Sequence, residues 1–420
     1  MIMAYHFFFG SMHDLLKIQF YGTFIPKYSF LLILSAVLFV AIFIFLKKST
    51  TNFLKVKLYL NSLLLLLIIT DAGMLVTKII NKKKNTTMLP TGFTKCDSCA
   101  TPDVYFLLAD EYAGNTELID KFNYNDSSFL QLLSQRNFYI IPNSYSNYNY
   151  TPFSLASILN MNYLQLQNNN RGQSDLTTSY QAIKSSSVVK FLQAHNYQFY
   201  NYSIFDFEGQ PGMRLENFLP EKTRLITAQT FLSRTKKDLF FNIITLLKSK
   251  KALKYATYGV RKNNERIYDQ TWKIADTKTK APKFIYAHLE MPHYPYYYDK
   301  DGTEQPFEKL TEGNQNNKEA YIEYLQYSNK KLLELIDHII QGSATPPIII
   351  LMGDHGFRHF TEPVEKKYYF MNLSSIRLPS GKYETFNDSL TAVNFFRVLL
   401  NTQYGQHLPL LKDSTSYLTD

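Results

Sequence analysis

The feature that most constrains this chain is an uninterrupted run of eighteen residues without a charge, SFLLILSAVLFVAIFIFL, from Ser29 to Leu46. As a helix rising about 1.5 Å per residue, it is nearly long enough to cross the hydrocarbon core of a bilayer. A second run, LYLNSLLLLLIITDAGMLV from Leu58 to Val76, is similar but carries Asn61 and Asp71. A carboxylate is costly at mid-membrane and cheaper near an interface, which puts Asp71 toward the outer end of that span. We therefore expect residues 1–81 to be a membrane anchor with transmembrane helices at about 29–46 and 58–76. A buried core helix is the soluble alternative for each run. The opening MIMAYHFFFGSMHDLLK lacks the basic start, apolar core and small-residue site of a cleavable signal. It reads as an amphipathic connector, which leaves room for further spans upstream.

Charge supports this division. Lys and Arg number 45 against 35 Asp and Glu, a net charge of +10. The lysines gather beside the apolar runs, at Lys47, Lys48, Lys55 and Lys57 and again at Lys82, Lys83 and Lys84. That pattern marks membrane boundaries rather than a nucleic-acid surface, so the expected partner is a membrane and not a nucleic acid. The lysine-rich loop between the spans argues for a cytoplasmic loop with both chain ends outside; the lysines after the second span argue the other way.

Residues 82–101, KKKNTTMLPTGFTKCDSCAT, are polar and turn-rich and read as a linker. They hold the two cysteines, Cys96 and Cys99, spaced C-x-x-C. No further thiols or histidines follow nearby to complete a structural zinc site, which leaves a small disulfide or two idle thiols. From Pro102 to residue 420, short apolar strands alternate with helical stretches, the texture of an α/β sheet domain.

Two of those strands end in acids. VYFLLA, residues 104–109, runs into Asp110-Glu111, and IIILM, beginning at Ile348, runs into Gly353-Asp354-His355-Gly356-Phe357-Arg358-His359. Continuous apolar runs suit strands buried on both faces of a mostly parallel sheet. Ligands gather beyond the carboxyl ends of such strands, so acids there are placed to hold a metal. An acidic helix cap is the bland alternative for the first. For the second, flanking glycines let the turn bring a carboxylate and an imidazole onto one ion, a mixed set suited to Zn²⁺ or Mn²⁺. A third segment, FIYAHLEMPHYPY, carries His288 and His293 through a proline-bracketed turn. Its histidine would bind a second metal or donate to a substrate oxyanion, or else be structural. Thr151, in NYNYTPFSLASILN, opens an apparent helix, where N–H groups and the macrodipole favour an anion. Thr-Pro is equally the signature of a capping threonine with proline at the first helical position.

Together and in this order, these segments resemble the sulfatase-like hydrolase/transferase branch of the alkaline phosphatase superfamily, over about residues 102–410. Asp110 resembles the family's first metal ligand, and Glu111 the metal glutamate of phosphoethanolamine transferases. Thr151 in T-P-F-S-L-A-S is similar to their nucleophile segment, and Asp354-His355-Gly356 to the Asp-His-Gly metal motif. His293, followed within two residues by Pro295, resembles the substrate-contacting histidine of lipoteichoic acid synthase-like enzymes. Two departures stand out. Neither cysteine lies in the C-x-P-x-R segment that true sulfatases convert to formylglycine. The fuller two-zinc ligand set of alkaline phosphatases proper is also not apparent.

The resemblance implies an alkaline phosphatase-like α/β fold, with a mixed, mostly parallel sheet, helices on both faces and transmembrane helices before it. It implies one divalent metal, Zn²⁺ or Mn²⁺ ahead of Mg²⁺ or Ca²⁺, on Asp110, Glu111, Thr151, Asp354 and His355. Thr151 would be the nucleophile, with His293, Arg358 and His359 contacting substrate. The implied activity is transfer of a phosphoryl-linked head group through a phospho-threonine, from a phospholipid donor to an envelope acceptor, outside the cytoplasmic membrane. A phosphatase or phosphodiesterase is the enzymatic alternative, and a catalytically silent membrane scaffold the other.

Overall fold

The computed structural model describes residues 2–20, 23–49, 54–80, 89–167, 170–213, 230–232, 234–235, 250–310 and 312–419. Its contacts group into two units, Met1–Thr86 with Asn217–Lys248, and Thr87–Glu216 with Ser249–Asp420.

The first unit contains helices α1 (Ile2–Gln19), α2 (Tyr28–Lys48) and α3 (Leu54–Ile80). Helix α2 takes in the whole of the first apolar run. Among the described residues it is the one helix long and apolar enough to cross a membrane. The second expected span falls within α3, and several of its side chains lie outside the described ones. Within this unit Phe9 is buried and meets Phe231 edge-on at 4.9 Å, while Tyr5 Oη and Ser35 Oγ share a hydrogen bond of 2.7 Å.

In chain order the second unit contains β1 (Val104–Ala109), α4 (Asn115–Phe122), α5 (Ser127–Ser134), β2 (Phe138–Ile140), α6 (Thr151–Asn160), α7 (Gln173–Lys184), α8 (Ser187–Ala194) and β3 (Gln198–Tyr202). It continues with α9 (Lys250–Ala275), β4 (Lys283–Leu289), α10 (Lys318–Gly342), β5 (Ile348–Gly353), β6 (Ser374–Arg377) and α11 (Ala392–Tyr404). The strands form one sheet in the order β2-β6-β5-β1-β4-β3. β1 lies at its centre, parallel to β5 on one side and β4 on the other, and β3 is parallel to β4. β6 and β2 add an antiparallel edge.

Successive side chains of a strand face opposite sides of a sheet. Val104, Phe106 and Leu108 accordingly enter one core with Leu155, Ile158, Phe191 and Phe396 from α6, α8 and α11. Tyr105, Leu107 and Ala109 enter the other with Ile267 of α9 and Leu325, Leu332 and Ile336 of α10. A strand covered on both faces has no use for polar alternation, which is why β1, β4 and β5 are buried throughout. The expected class is thus observed: a mixed, mostly parallel sheet with helices on both faces.

Of the expected linker, residues 82–88 lie outside the described residues. The remainder is packed on the second unit. Leu89 and Phe93 rest against the first core, the Thr94 N–H donates to Gln406 Oε1 at 2.9 Å, and the Cys96 N–H donates to His195 Nε2 at 3.1 Å. Cys96 and Cys99 form a disulfide, which decides between the two readings of that pair.

Candidate active site

The register of β1 with its neighbours brings the site together. Ala109 stands opposite both Gly353 of β5 and Leu289 of β4, so Asp110-Glu111, Asp354-His355 and the turn after His288 leave the sheet side by side. Asp110, Glu111, Asp354 and His355 are all buried.

Glu111 has a left-handed backbone, φ 59°, costly for a residue with a Cβ. Two hydrogen bonds hold it there: its N–H donates to Asp354 Oδ1 at 2.8 Å, and Tyr321 Oη donates to its carbonyl at 2.8 Å. The twist directs its carboxylate to the Asp-His-Gly turn. Oε1 accepts the Arg358 N–H at 2.8 Å and lies 3.6 Å from His359 Nε2, while Oε2 lies 3.8 Å from His293 Nε2. An Arg358 terminal nitrogen is also 3.2 Å from His293 Nε2.

The turn that carries His355 has no room to spare. A Cβ on Gly356 would fall 2.0 Å from the Tyr368 carbonyl and 2.6 Å from Glu117 Oε2. Glu117, fully buried on α4, accepts the Phe357 N–H at 3.1 Å. Burial, followed by the nearby Glu111 charge, pushes its carboxyl well above the usual range despite that hydrogen bond.

Thr151 is the first residue of α6, and the cap is Tyr150, which makes no side-chain capping bond. The capping role open to Thr151 in the sequence is therefore not the one it plays. Its Oγ1 lies 3.2 Å from His355 Nε2. His355 Nδ1 is 2.8 Å from the Gly356 carbonyl, which can only accept, so Nδ1 carries the proton and Nε2 has a lone pair to offer. Ser157 bonds the Asn162 carbonyl at 2.9 Å, but Ser154 donates to the Asp354 carbonyl at 2.6 Å and so fastens α6 to the candidate metal turn.

The sequence resemblance points to His293, but the structure engages His288 as well. Its Nε2 donates to Asp110 Oδ2 at 3.0 Å, and its Nδ1 pairs with Tyr286 Oη at 2.9 Å. The only sequence signal was its place at the end of an apolar strand. Burial works against the charged His288, but Asp110 outweighs it and raises the pKa. Burial likewise opposes the Asp110 charge, yet His293, His288 and His355 hold that carboxyl below its ordinary range. Glu111 is lowered in the same way, burial being overcome by His359, His293 and Arg358.

Two sets of donor atoms emerge, Asp110/Asp354/His355 and Glu111/His293/His359, and within each set the atoms lie within 4.8 Å of one another. Metal bonds of about 2.0–2.2 Å place two ligands of one ion up to about 4.4 Å apart, so either set needs little adjustment to close on a cation. Asp110 Oδ1, Glu111 Oε2, Asp354 Oδ2 and His359 Nε2 are buried without a hydrogen-bond partner. Orphaned acceptors of this kind are costly in a folded protein unless something positive completes them. The residues fit a divalent metal.

The sequence pattern of the sulfatase family matches residues 102–402. No curated protein matches the chain by sequence. Among solved structures, the C-terminal periplasmic domain of EcEptC from Escherichia coli is similar at 12% identity and a TM-score of 0.47, covering 79% of this chain and 94% of that one. BT1596, a 2-O GAG sulfatase, is similar at 11% identity and a TM-score of 0.44, covering 76% and 73%. The match over 102–402 spans well over half of the chain and takes in the sheet, the Asp110 and Asp354 strand ends and Thr151: the chain belongs to the sulfatase family.

Proposed function

We propose that this enzyme transfers a phosphoryl-linked head group between envelope lipids or glycans through a covalent phospho-threonine on Thr151. The observation that carries the reading is the Thr151 hydroxyl, at the first residue of α6 and 3.2 Å from the His355 imidazole, beside three buried carboxylates. Asp110, Asp354 and His355, with the Thr151 oxygen, would hold one divalent cation, mixed O and N donors suiting Zn²⁺ or Mn²⁺, while Glu111 groups with His293 and His359. Bound there, the cation supplies a lowered hydroxyl pKa and positive charge for the phosphoryl oxygens. Thr151 Oγ1 forms the new P–O bond as the bond to the leaving oxygen breaks; Thr151 gives up a proton and the leaving oxygen gains one. An acceptor hydroxyl then displaces Thr151 and restores it. The α6 N–H groups favour the anion formed on Thr151. Arg358 brings a permanent positive charge, and His293 and His359 bring donors, to the equatorial oxygens.

Sulfate ester hydrolysis is disfavoured because both cysteines are consumed in one disulfide. The same disulfide supports an oxidising compartment. With the apolar α2, it supports a catalytic unit outside the cytoplasmic membrane, within reach of a phospholipid donor.

The test is mass spectrometry of the full chain after incubation with head-group-labelled phospholipid vesicles. A phospho-head-group adduct on Thr151 is expected, absent from Thr151→Ala. A Thr151→Ala protein that turns over at the parental rate sinks the mechanism.

A further inference from the structure

Residues 141–150 connect β2 to α6 without regular structure, yet they deliver Thr151 to His355. Two asparagines in this segment, Asn147 and Asn149, are only 1% and 6% exposed. Amides buried so deeply need partners for both oxygen and nitrogen. Helix α11 supplies one, the Val393 N–H, which donates to Asn147 Oδ1 at 2.7 Å. The closest of the others come from residues 412–419, which form no helix and no strand of the sheet. Asn147 Nδ2 donates to the Ser414 carbonyl at 2.8 Å, and the Ser416 N–H donates to the Asn147 carbonyl at 2.9 Å. Asn149 exchanges two bonds with a single residue. The Leu418 N–H donates to its Oδ1 at 2.8 Å, and its Nδ2 donates to the Leu418 carbonyl at 3.2 Å.

Residues 412–419 thus run parallel to the segment before Thr151, with Ser416 bridged to Tyr148. Leu418 is buried and forms a small core of its own with Tyr148 and Phe153, three residues before and two after Thr151. Beside it, the Tyr417 ring meets that of Tyr369 at 5.1 Å. The Tyr369 carbonyl in turn accepts the Gly356 N–H of the Asp354-His355-Gly356 turn at 3.1 Å. From the other side, the Ser146 N–H donates to the Phe370 carbonyl at 2.7 Å. One stretch of chain therefore touches both the segment that carries Thr151 and the segment on which the His355 turn rests.

A segment outside the sheet keeps its place only through contacts of this kind, and a displacement of about 1 Å at a reacting atom can cost about a hundredfold in rate. We propose that residues 412–419 act as a strap that positions Thr151 for attack, with Asn149 and Leu418 as its positioning residues. The proposal rests on the reading of Thr151 as the nucleophile and adds how its place is controlled. Neither of the two cores flanking the sheet includes any of residues 412–419. The strap can therefore loosen while the sheet stays folded, as locally held segments do.

The experiment compares Leu418→Ala with the parent, both as full chains, in two readings. The first is amide hydrogen exchange over residues 144–151. Exchange there should rise about tenfold or more in the variant, while β1 and β5 exchange as in the parent. The second is the rate of Thr151 adduct formation with head-group-labelled phospholipid vesicles. The saturating rate should fall about ten- to hundredfold with half-saturating lipid unchanged, because lost positioning acts on the chemical step. Leu418→Met refills the pocket and should restore both readings. Leu410→Ala, at a side chain 51% exposed, is the control and should match the parent. Parental exchange over 144–151 in Leu418→Ala, exchange raised equally in β1 and β5, or a parental saturating rate overturns the strap. If Leu418→Ala does not fold, Asn149→Asp, which sets a carboxylate oxygen against the Leu418 carbonyl, is read by the same outcomes. Failure of both to fold would make these residues part of the fold itself and overturn the proposal too. The transfer reading fails separately. A parent without the adduct, whose 144–151 segment is still loosened in Leu418→Ala, keeps the strap as the holder of Thr151 and loses the chemistry; an adduct formed at the parental rate in Leu418→Ala does the reverse.

Discussion

Replacing Gly356 with alanine adds one methyl group at the point where the structure has least room for it. The added Cβ would stand 2.0 Å from the Tyr368 carbonyl oxygen, 2.6 Å from Glu117 Oε2 and 2.8 Å from the Met371 carbonyl oxygen. Separations under 3.0 Å are essentially never seen for a real Cβ, so turn and carbonyl must part by about 1 Å. Two of the three obstacles are backbone, and the third is a carboxyl buried against the same turn, so no flexible side chain can swing aside. The Gly356 N–H also donates to the Tyr369 carbonyl at 3.1 Å, a bond that parting endangers. Overpacking costs about 1–3 kcal/mol, and an unsatisfied buried donor another 1–3, so a loss of about 2–6 kcal/mol is expected. The site should suffer more than the fold, because metal ligands tolerate only about 0.2 Å of displacement. The assay is thermal unfolding with and without added Zn²⁺ or Mn²⁺, alongside metal content. The parent should melt higher with the ion, as ligand linkage requires. Gly356→Ala should keep its far-ultraviolet circular dichroism, melt lower and gain nothing from the ion. Gly259, in α9 with nothing within 4 Å of its added Cβ, is the control; its alanine variant should be neutral or more stable. A Gly356→Ala protein that melts and responds to the ion like the parent would refute the reasoning.

Ser154→Ala removes the donor to the Asp354 carbonyl; we expect a loss of about 1–2 kcal/mol and a partial fall in kcat/KM, against complete loss in Thr151→Ala. Parental kinetics and melting in Ser154→Ala would show that this bond does not steady the turn. Asp126 offers a pH test away from the site. Burial pushes its carboxyl up to about 6, against the lowering effect of Tyr112, Tyr124 and Asn329. The folded state therefore holds this proton more tightly than the unfolded one. The resulting stability is fully present below about pH 4 and lost as pH rises through about 6, in total on the order of 3 kcal/mol. Asp126→Asn mimics the protonated acid, so its advantage over the parent in chemical denaturation should grow from pH 4 to pH 8. An advantage that does not change over that range would count against the assignment.

Much of this was legible along the chain because it is local. Buried parallel strands betray themselves as unbroken apolar runs, so β1 and β5 could be read, together with the acids at their ends. The Asp354-His355-Gly356 turn and the Thr151-Pro152 helix start were legible for the same reason: neighbouring residues determine them. Tertiary structure alone decided which of these residues meet. His288 finds Asp110, and Ser154 the Asp354 carbonyl, only through strand order and helix packing. Glu111 gathers His293, Arg358 and His359 because its backbone is twisted to φ 59°, a conformation stabilised by Asp354 and Tyr321 from far along the chain. The segment before β1 reads as a linker from its polar composition; that its backbone donors go to Gln406 and His195 was decided by the tertiary structure. Periodicity and turn chemistry act over a few residues and leave their mark in sequence. Side-chain convergence depends on the register of strands far apart in the chain, and no local pattern records it.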